Sequence, residues 1–332
     1  MIAPSFLSGE AGDAAKAIAA AIEGVESELQ RVLRSQVRLV EQVSLHTLNA
    51  GGKRLRPALV TLCAAATGLP FDQGRARKLG ACMELIHMAT LIHDDVIDNA
   101  PTRRGVATAS AVFGNTPAIL SGDVLLAKAM AILADDGDLE IIRQVSGVVV
   151  ELAEGEVREL EVRGDFELSE ADHREILRMK TATFIQCCCE LGARIAAAPE
   201  NVREALGGFG HEIGMAFQLA DDLLDYRGGK ETGKQRAGDF TEGCATLPLI
   251  LLRDHLTESE LSFVATKFGE HSTDEELDLI CAWMEERGAF ASAQASAEHH
   301  IDGALARLDD LPASSHVTLL REVAGFVVKR KS

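Results

Sequence analysis

Residues 84–98 read ELIHMATLIHDDVID, and residues 217–226 read FQLADDLLDY. At 3.6 residues per turn, positions i, i+4 and i+7 share a face, so Asp94 and Asp98 align with His87 and Thr90 on one stripe. The second segment repeats the arrangement, with Gln218, Asp221 and Asp225 on one stripe and Asp222 one position round. The flanking residues decide the fold class. Met88, Ala89, Leu91, Ile92, Val96 and Ile97 in the first segment are apolar on several faces, as are Phe217, Leu219, Leu223 and Leu224 in the second, so both read as largely buried helices. Only 4% of the chain is aromatic, and Ala, Leu, Glu and Arg dominate, a palette that predicts an all-α protein.

Caps and breakers extend the helical reading outward. Pro57 opens ALVTLCAAATG, which Gly68 closes, and Asn115-Thr116-Pro117 opens a stretch running to the DDGD at 135–138. Ser169 with Asp172 and Thr273 with Glu276 have capping-box spacing. The Gly-rich, charged stretch 227–245 is too long for a passive connector and reads as a functional loop. No Pro- or Ser-rich linker or composition shift marks a boundary, so a single domain over 1–332 is expected.

With 332 residues, 47% of them apolar, the chain can bury a sizeable core. The net charge of −18 argues against nucleic acid or anionic lipid as a general partner and requires a local basic patch for any anionic ligand. Seven cysteines, three of them adjacent (Cys187, Cys188 and Cys189) and none in CxxC spacing, suit neither a disulfide framework nor a zinc ribbon and read as core residues in a reducing compartment. The first 30 residues carry acidic groups and no cationic cluster ahead of an apolar block, so no secretory signal is expected. Nor is a transmembrane span, because no run of ~18 consecutive apolar residues occurs. These readings together point to a cytoplasmic protein.

Six aspartates in two apolar helices need a partner. Two unit charges ~4 Å apart repel by roughly 4 kcal/mol at an effective dielectric near 20, so Asp94, Asp95, Asp98, Asp221, Asp222 and Asp225 cannot cluster unaided. Oxygen donors without Cys or paired His suit Mg²⁺, which takes one or two carboxylates, waters and substrate phosphates. The duplication, 127 residues apart, is the specific signal. Cations for a phosphorylated ligand lie near the motifs: Lys53 and Arg56 after Gly51-Gly52, Arg103 and Arg104 after Asp98, with Lys180 and Lys234 further along. Arginine forks match phosphate oxygens. GxxxxGK[ST] does not occur, so a P-loop is not indicated.

Taken together, GGKRLRP at 51–57, ELIHMATLIHDDVID followed by PTRRG at 101–105, MKTATF at 179–184, and FQLADDLLDY with TGK at 232–234 resemble the trans-isoprenyl diphosphate synthases, the polyprenyl synthetase family, over nearly the whole chain. The resemblance implies a bundle of antiparallel helices around a deep central cavity, in a homodimer. It implies that Asp94, Asp95, Asp98 and Asp221 hold about three Mg²⁺ on an allylic diphosphate, with Asp222 and Asp225 completing the second motif. Arg103, Lys180 and Lys234 would grip that diphosphate, Thr181 and Gln218 would flank the reacting carbons, and Lys53, Arg56, His87 and Arg104 would bind isopentenyl diphosphate. Two departures stand out: Ala237 replaces a frequent glycine, and Cys244 replaces a lysine.

In the family, bulky aromatics at the positions corresponding to Ala89 and Thr90 stop chain growth early. The small residues here imply a long-chain product, similar to the octaprenyl or decaprenyl tails of ubiquinone, with geranylgeranyl or farnesyl as shorter alternatives. Among other readings, a class I terpene cyclase lacks its NSE-type second motif, since Gly229 stands where the glutamate would fall. An HD-type metal phosphohydrolase, starting from His87 and His93-Asp94, leaves the second DDxxD unexplained. A di-iron bundle needs two ExxH pairs, and Glu84 to His87 is the one present.

Overall fold

The computed structural model describes residues 12–228 and 236–328. Lys234, one of the cations expected from the sequence, lies outside them. The described residues form sixteen α-helices, one π-helical turn and one two-strand hairpin, so the all-α expectation holds. The chain divides into two compact units: Met1–Gly147, Cys187–Gly207 and Asp310–Glu322 in the first, and Val148–Gln186, Gly208–Asp309 and Val323–Ser332 in the second.

The first unit starts with α1 (Gly12–Leu33), α2 (Arg38–Asn49), α3 (Leu55–Ala66) and α4 (Gln73–Ile97). Asp72 caps α4 by accepting the amides of Gly74 and Arg75 at 2.7 and 3.0 Å. Pro57 sits in the first turn of α3, and Gly68 just past its end has φ 71°, as the sequence predicts. The long α4 packs on α1, α3 and α6 and is buried on most faces, with Leu79, Met83 and Leu85 fully enclosed.

After α4 the chain turns through β1 (Thr102–Arg103) and β2 (Val106–Ala107), a hairpin the sequence reading did not foresee. Its central residues Arg104 and Gly105 have φ 54° and 75°, the pattern of a tight two-residue hairpin turn. An arginine in the left-handed region costs on the order of 1 kcal/mol, and such strain is found at ligand clamps and switch regions.

α5 (Ala109–Phe113), α6 (Asn115–Asp136) and the start of α7 (Leu139–Val162) follow. By length and composition α6 is apolar enough to cross a membrane, which a search for unbroken apolar runs misses because Asp123 and Lys128 interrupt it. One side of α6 packs on α4, and its Lys128 ammonium donates to the carbonyl of Arg34 beyond α1 at 2.9 Å.

In the second unit, α8 (Glu170–Leu177) runs into a π-helical turn at Arg178–Ala182 and then into α9 (Thr183–Ile195), which extends into the first unit, as does the start of α10 (Glu200–Arg227). Two glycines set the approach of these helices. A Cβ on Gly214 of α10 would lie 2.6 Å from Ala182 Cα, and one on Gly192 of α9 would lie 2.3 Å from the Val60 carbonyl of α3. Beyond the undescribed residues come α11 (Gly238–Thr241), α12 (Leu247–Arg253), α13 (Glu258–Lys267), α14 (Asp274–Glu286), α15 (Ala289–Arg307) and α16 (Ser315–Val328). The expected loop therefore contains a short helix at its far end. Thr273 and Glu276 complete a full capping box, whereas Ser169 accepts the Asp172 amide at 3.1 Å and donates its hydroxyl to the Asp172 carboxylate at 2.6 Å. The core of this unit gathers Leu219, Leu223, Tyr226, Phe240, Leu249 and Phe290.

Six of the seven cysteines are buried and Cys244 is half-buried, as core residues would be. Burial pushes the Cys82 thiol up to about 12.

Candidate functional site

In the first unit the sequence-predicted cations gather around one histidine. His87 is half-buried on α4, and Arg56, Arg104, Arg103 and Arg54 all act on it electrostatically. Arg54 itself is buried, paired with Glu84 at 3.1 Å and Glu26 at 3.4 Å, and donates to the Leu48 carbonyl, so it braces the patch instead of facing a ligand. Gly52 makes room: a Cβ there would lie 2.8 Å from Arg54 Nη1 and 3.2 Å from Arg104 Nη1. Arg54 (φ 48°) and Arg104 (φ 54°) both hold left-handed backbone. Arg104 donates to the carbonyl of Gly51, tying the hairpin to the glycine turn. Lys53 is exposed beside them.

Burial, reinforced by those four guanidinium groups, holds His87 well below the ordinary imidazole value of 6.5, so it is neutral in the folded chain at neutral pH. In the unfolded chain it takes up a proton as pH falls through that value, and the folded chain refuses it. The stability it contributes is therefore present above the unfolded value and declines as pH drops toward the folded one. His87→Gln should flatten the fall in melting temperature between about pH 7 and pH 5. Equal slopes for the two proteins would contradict a neutral His87.

The aspartates of α4 sit at its C-terminal end. Asp95 is 5% exposed and bonded by Arg103 Nε at 2.7 Å; burial raises its carboxyl above the usual range, while Arg103 pulls the other way. Asp94 is half-buried, and Asp98 is exposed at the C-cap. The stripe predicted from spacing thus ends in solvent beside the basic hairpin.

The second unit holds the other predicted residues. Thr181, in the π-helical turn, donates to Gln218 Oε1 of α10 at 3.2 Å. Such turns are wider than α-helical ones and recur at functional positions. Lys180 in the same turn is ion-paired to Glu156 at 2.8 Å and to Glu159, both on α7. Asp221 is half-buried.

Asp222 and Asp225, expected to complete the second motif, each have partners outside it. Asp222 is 3% exposed and bonded at 2.9 Å to Nε2 of His173 on α8. Asp225 accepts the amides of Gly238 and Asp239, both at 3.1 Å, and so fixes the start of α11. Ala237 has φ 53° with its methyl fully buried. Burial, then Asp225, Asp222, Glu159 and Glu242, drive the Asp239 carboxyl well above its usual range. Glu156, Glu159 and His173 were not singled out in the sequence; no spacing rule distinguishes them from other charges on acidic helices.

Among the described residues, no three His, Cys, Asp or Glu side chains form a closed metal cage. The donors fit a hydrated Mg²⁺ that shares its shell with ligand oxygens: half-buried and exposed carboxylates on a helix end, adjacent to guanidinium groups suited to phosphate.

Residues 37–282 match the sequence profile of the Polyprenyl synthetase family. The chain is similar to heptaprenyl diphosphate synthase component 2 of Geobacillus stearothermophilus, with 34% identity over 93% of this chain and 95% of that one. Among solved structures it is similar to a decaprenyl diphosphate synthase from Rhodobacter capsulatus, with TM-score 0.91, 32% identity, and coverage of 97% and 99% of the two chains. It is equally close to a polyprenyl synthase from Caulobacter crescentus CB15 complexed with calcium and isoprenyl diphosphate, with TM-score 0.91, 34% identity, and coverage of 98% and 99%. Motifs, fold and likeness across almost the full length agree: the chain belongs to the polyprenyl synthetase family and is a prenyltransferase.

Proposed function

We propose that this chain is a long-chain all-trans polyprenyl diphosphate synthase that condenses an allylic diphosphate with successive isopentenyl diphosphates, giving an octaprenyl-like product of the kind used in quinone side chains. The observation that carries this reading is the convergence of Arg56, Arg103 and Arg104 on His87, beside the Asp94–Asp98 end of the same helix. Heptaprenyl and decaprenyl in the names of two similar proteins bracket the proposed length.

Each residue has a separable task. Asp94, Asp95 and Asp98, with Asp221 from the second motif, are the carboxylates proposed to hold about three Mg²⁺. Bound Mg²⁺ supplies charge neutralisation at the departing diphosphate. Arg103 and Lys180, with Lys234, bind the allylic diphosphate, and the allylic C–O bond breaks with its electron pair leaving on that group. Lys53, Arg56 and Arg104 bind the diphosphate of isopentenyl diphosphate, and neutral His87 donates an N–H to it without adding a further cation to the cluster. The oxygens of Thr181 and Gln218 face the electron-poor carbon as it forms. The π bond of the second substrate attacks that carbon, and the proton that leaves passes to the released diphosphate. An apolar surround excludes water from the cation.

The assembly is proposed to be a homodimer in the cytoplasm. Ile119 and Leu120 of α6, 40% and 57% exposed, and Val112 of α5 form apolar surface that a second copy would cover, and sedimentation of the purified chain checks it. The function itself is tested by incubating the protein with isopentenyl diphosphate and a farnesyl or geranyl primer, with and without Mg²⁺, and sizing the products. Metal-dependent long-chain polyprenyl diphosphates are expected. Phosphate release from nucleotides without any condensation product would favour the phosphohydrolase reading instead.

A further inference from the structure

We propose that Glu156 and Glu159 are positioning residues that hold the ammonium of Lys180 ready for a diphosphate oxygen. This rests on the reading of Lys180 as a diphosphate-binding cation. The two glutamates stand three residues apart on α7 and therefore share a face. Their carboxylates meet Lys180 Nζ at 2.8 Å from Glu156 and in a second ion pair from Glu159, and all three side chains are about a quarter exposed or less.

The backbone is shaped for this contact. A Cβ on Gly155 would lie 2.8 Å from Met179 Cβ and 3.2 Å from Lys180 Cγ, so glycine at 155 lets the π-helical turn come against α7. The turn belongs to Arg178–Ala182, which also carries Thr181 and its bond to Gln218. One short segment thus fixes both predicted ligand-side residues against two different helices.

An ammonium has three N–H donors. Two are committed to Glu156 and Glu159, which leaves one direction for an incoming oxygen. Lysine otherwise swings on a flexible four-carbon stem, and holding it beforehand removes an ordering cost from the binding step. The carboxylates also keep it charged: burial pulls the ammonium down, and Glu159 and Glu156 together outweigh burial and raise it. Two negative charges against one positive leave the trio with a net negative charge, so it attracts a diphosphate only when metal ions accompany it. The glutamates then orient the lysine without making it a general anion trap.

The test compares the full-length chain with Glu156→Gln, Glu159→Gln, the double variant, Glu159→Asp and Lys180→Ala, in steady-state assays with Mg²⁺ that vary each substrate in turn. The double variant should raise KM for the allylic diphosphate ~10-fold or more, comparable with the loss when the partners that orient a metal ligand are removed. KM for isopentenyl diphosphate and the melting temperature should stay near native values, and Glu159→Asp should recover part of the loss because it restores the charge. Equal rises in both KM values with a lowered melting temperature would show a merely structural role and overturn the proposal. Native kinetics in the double variant, with Lys180→Ala impaired, would overturn positioning while leaving the role of Lys180 intact. Native kinetics in Lys180→Ala would overturn both.

Discussion

Asp94→Ala should lower turnover at saturating Mg²⁺ by ~10³-fold or more, equivalent to about 4 kcal/mol of lost transition-state stabilisation at 1.36 kcal/mol per decade. The size follows from what its neighbours already do. Asp95 is buried against Arg103, and Asp98 stands beyond the last helical residue, exposed at the C-cap. Asp94 and Asp95 both lie within α4, and Asp94 is the half-buried one, on the face shared with His87. Its loss cannot be covered by its neighbours, because Asp95 is turned to a guanidinium and Asp98 lies four residues on. Electrostatic assistance at a leaving group acts on the bond-breaking step, so the deficit should appear in kcat as well as in kcat/KM. Near-native turnover, measured by product formation over a range of Mg²⁺ concentrations, would remove the metal-binding assignment of this motif.

Ala89→Phe should convert long products into short ones, of about three or four isoprene units, at a reduced rate. Ala89 is fully buried, five residues and about 7.5 Å along the helix axis before Asp94. Its neighbour Thr90 is half-buried, with its hydroxyl donating to the His87 carbonyl at 2.9 Å, so it cannot swing aside without losing that bond. A benzyl group at 89 must take volume inside the packed surroundings of α4, and under the chain-length role proposed for this position that volume is taken from the growing product. Overpacking itself costs typically 1–3 kcal/mol, and a drop in melting temperature is part of the expected result. The product distribution separates the two effects, because instability lowers the yield of every length alike. An unchanged distribution would show that residue 89 does not limit chain length.

Much of the architecture was legible because local chemistry and tertiary need coincide. Thr273, Pro57 and Gly68 act where capping rules put them, and of the apolar flanks of Asp94, Met88, Ala89 and Ile92 lie in a core, while Leu91 and Val96 are half-buried and Ile97 is exposed. The cationic patch was legible as well, from residue type and proximity to Asp98. Other features were not, each for a physical reason. The hairpin that aims Arg103 and Arg104 depends on an arginine in the left-handed region, which residue preferences argue against. Arg54 looks like its neighbours Lys53 and Arg56, and only the folded chain shows that Glu26 and Glu84 claim it. Asp222 and Asp225 repeat the pattern of the first motif, and their bonds to His173 and to two backbone amides come from residues distant in sequence, which no spacing reveals.

The π-helical turn between α8 and α9 works as a phase shifter. In an unbroken α-helix, His173 and Lys180 are seven residues apart and would look the same way. One extra residue in the turn swings everything after it by about 100° relative to what precedes it. His173 can then serve Asp222 on α10 while Lys180 serves Glu156 and Glu159 on α7. Insertions and deletions near residue 180 are therefore not neutral loop edits. A single residue lost there would re-dial every later side chain of the segment onto the wrong neighbour.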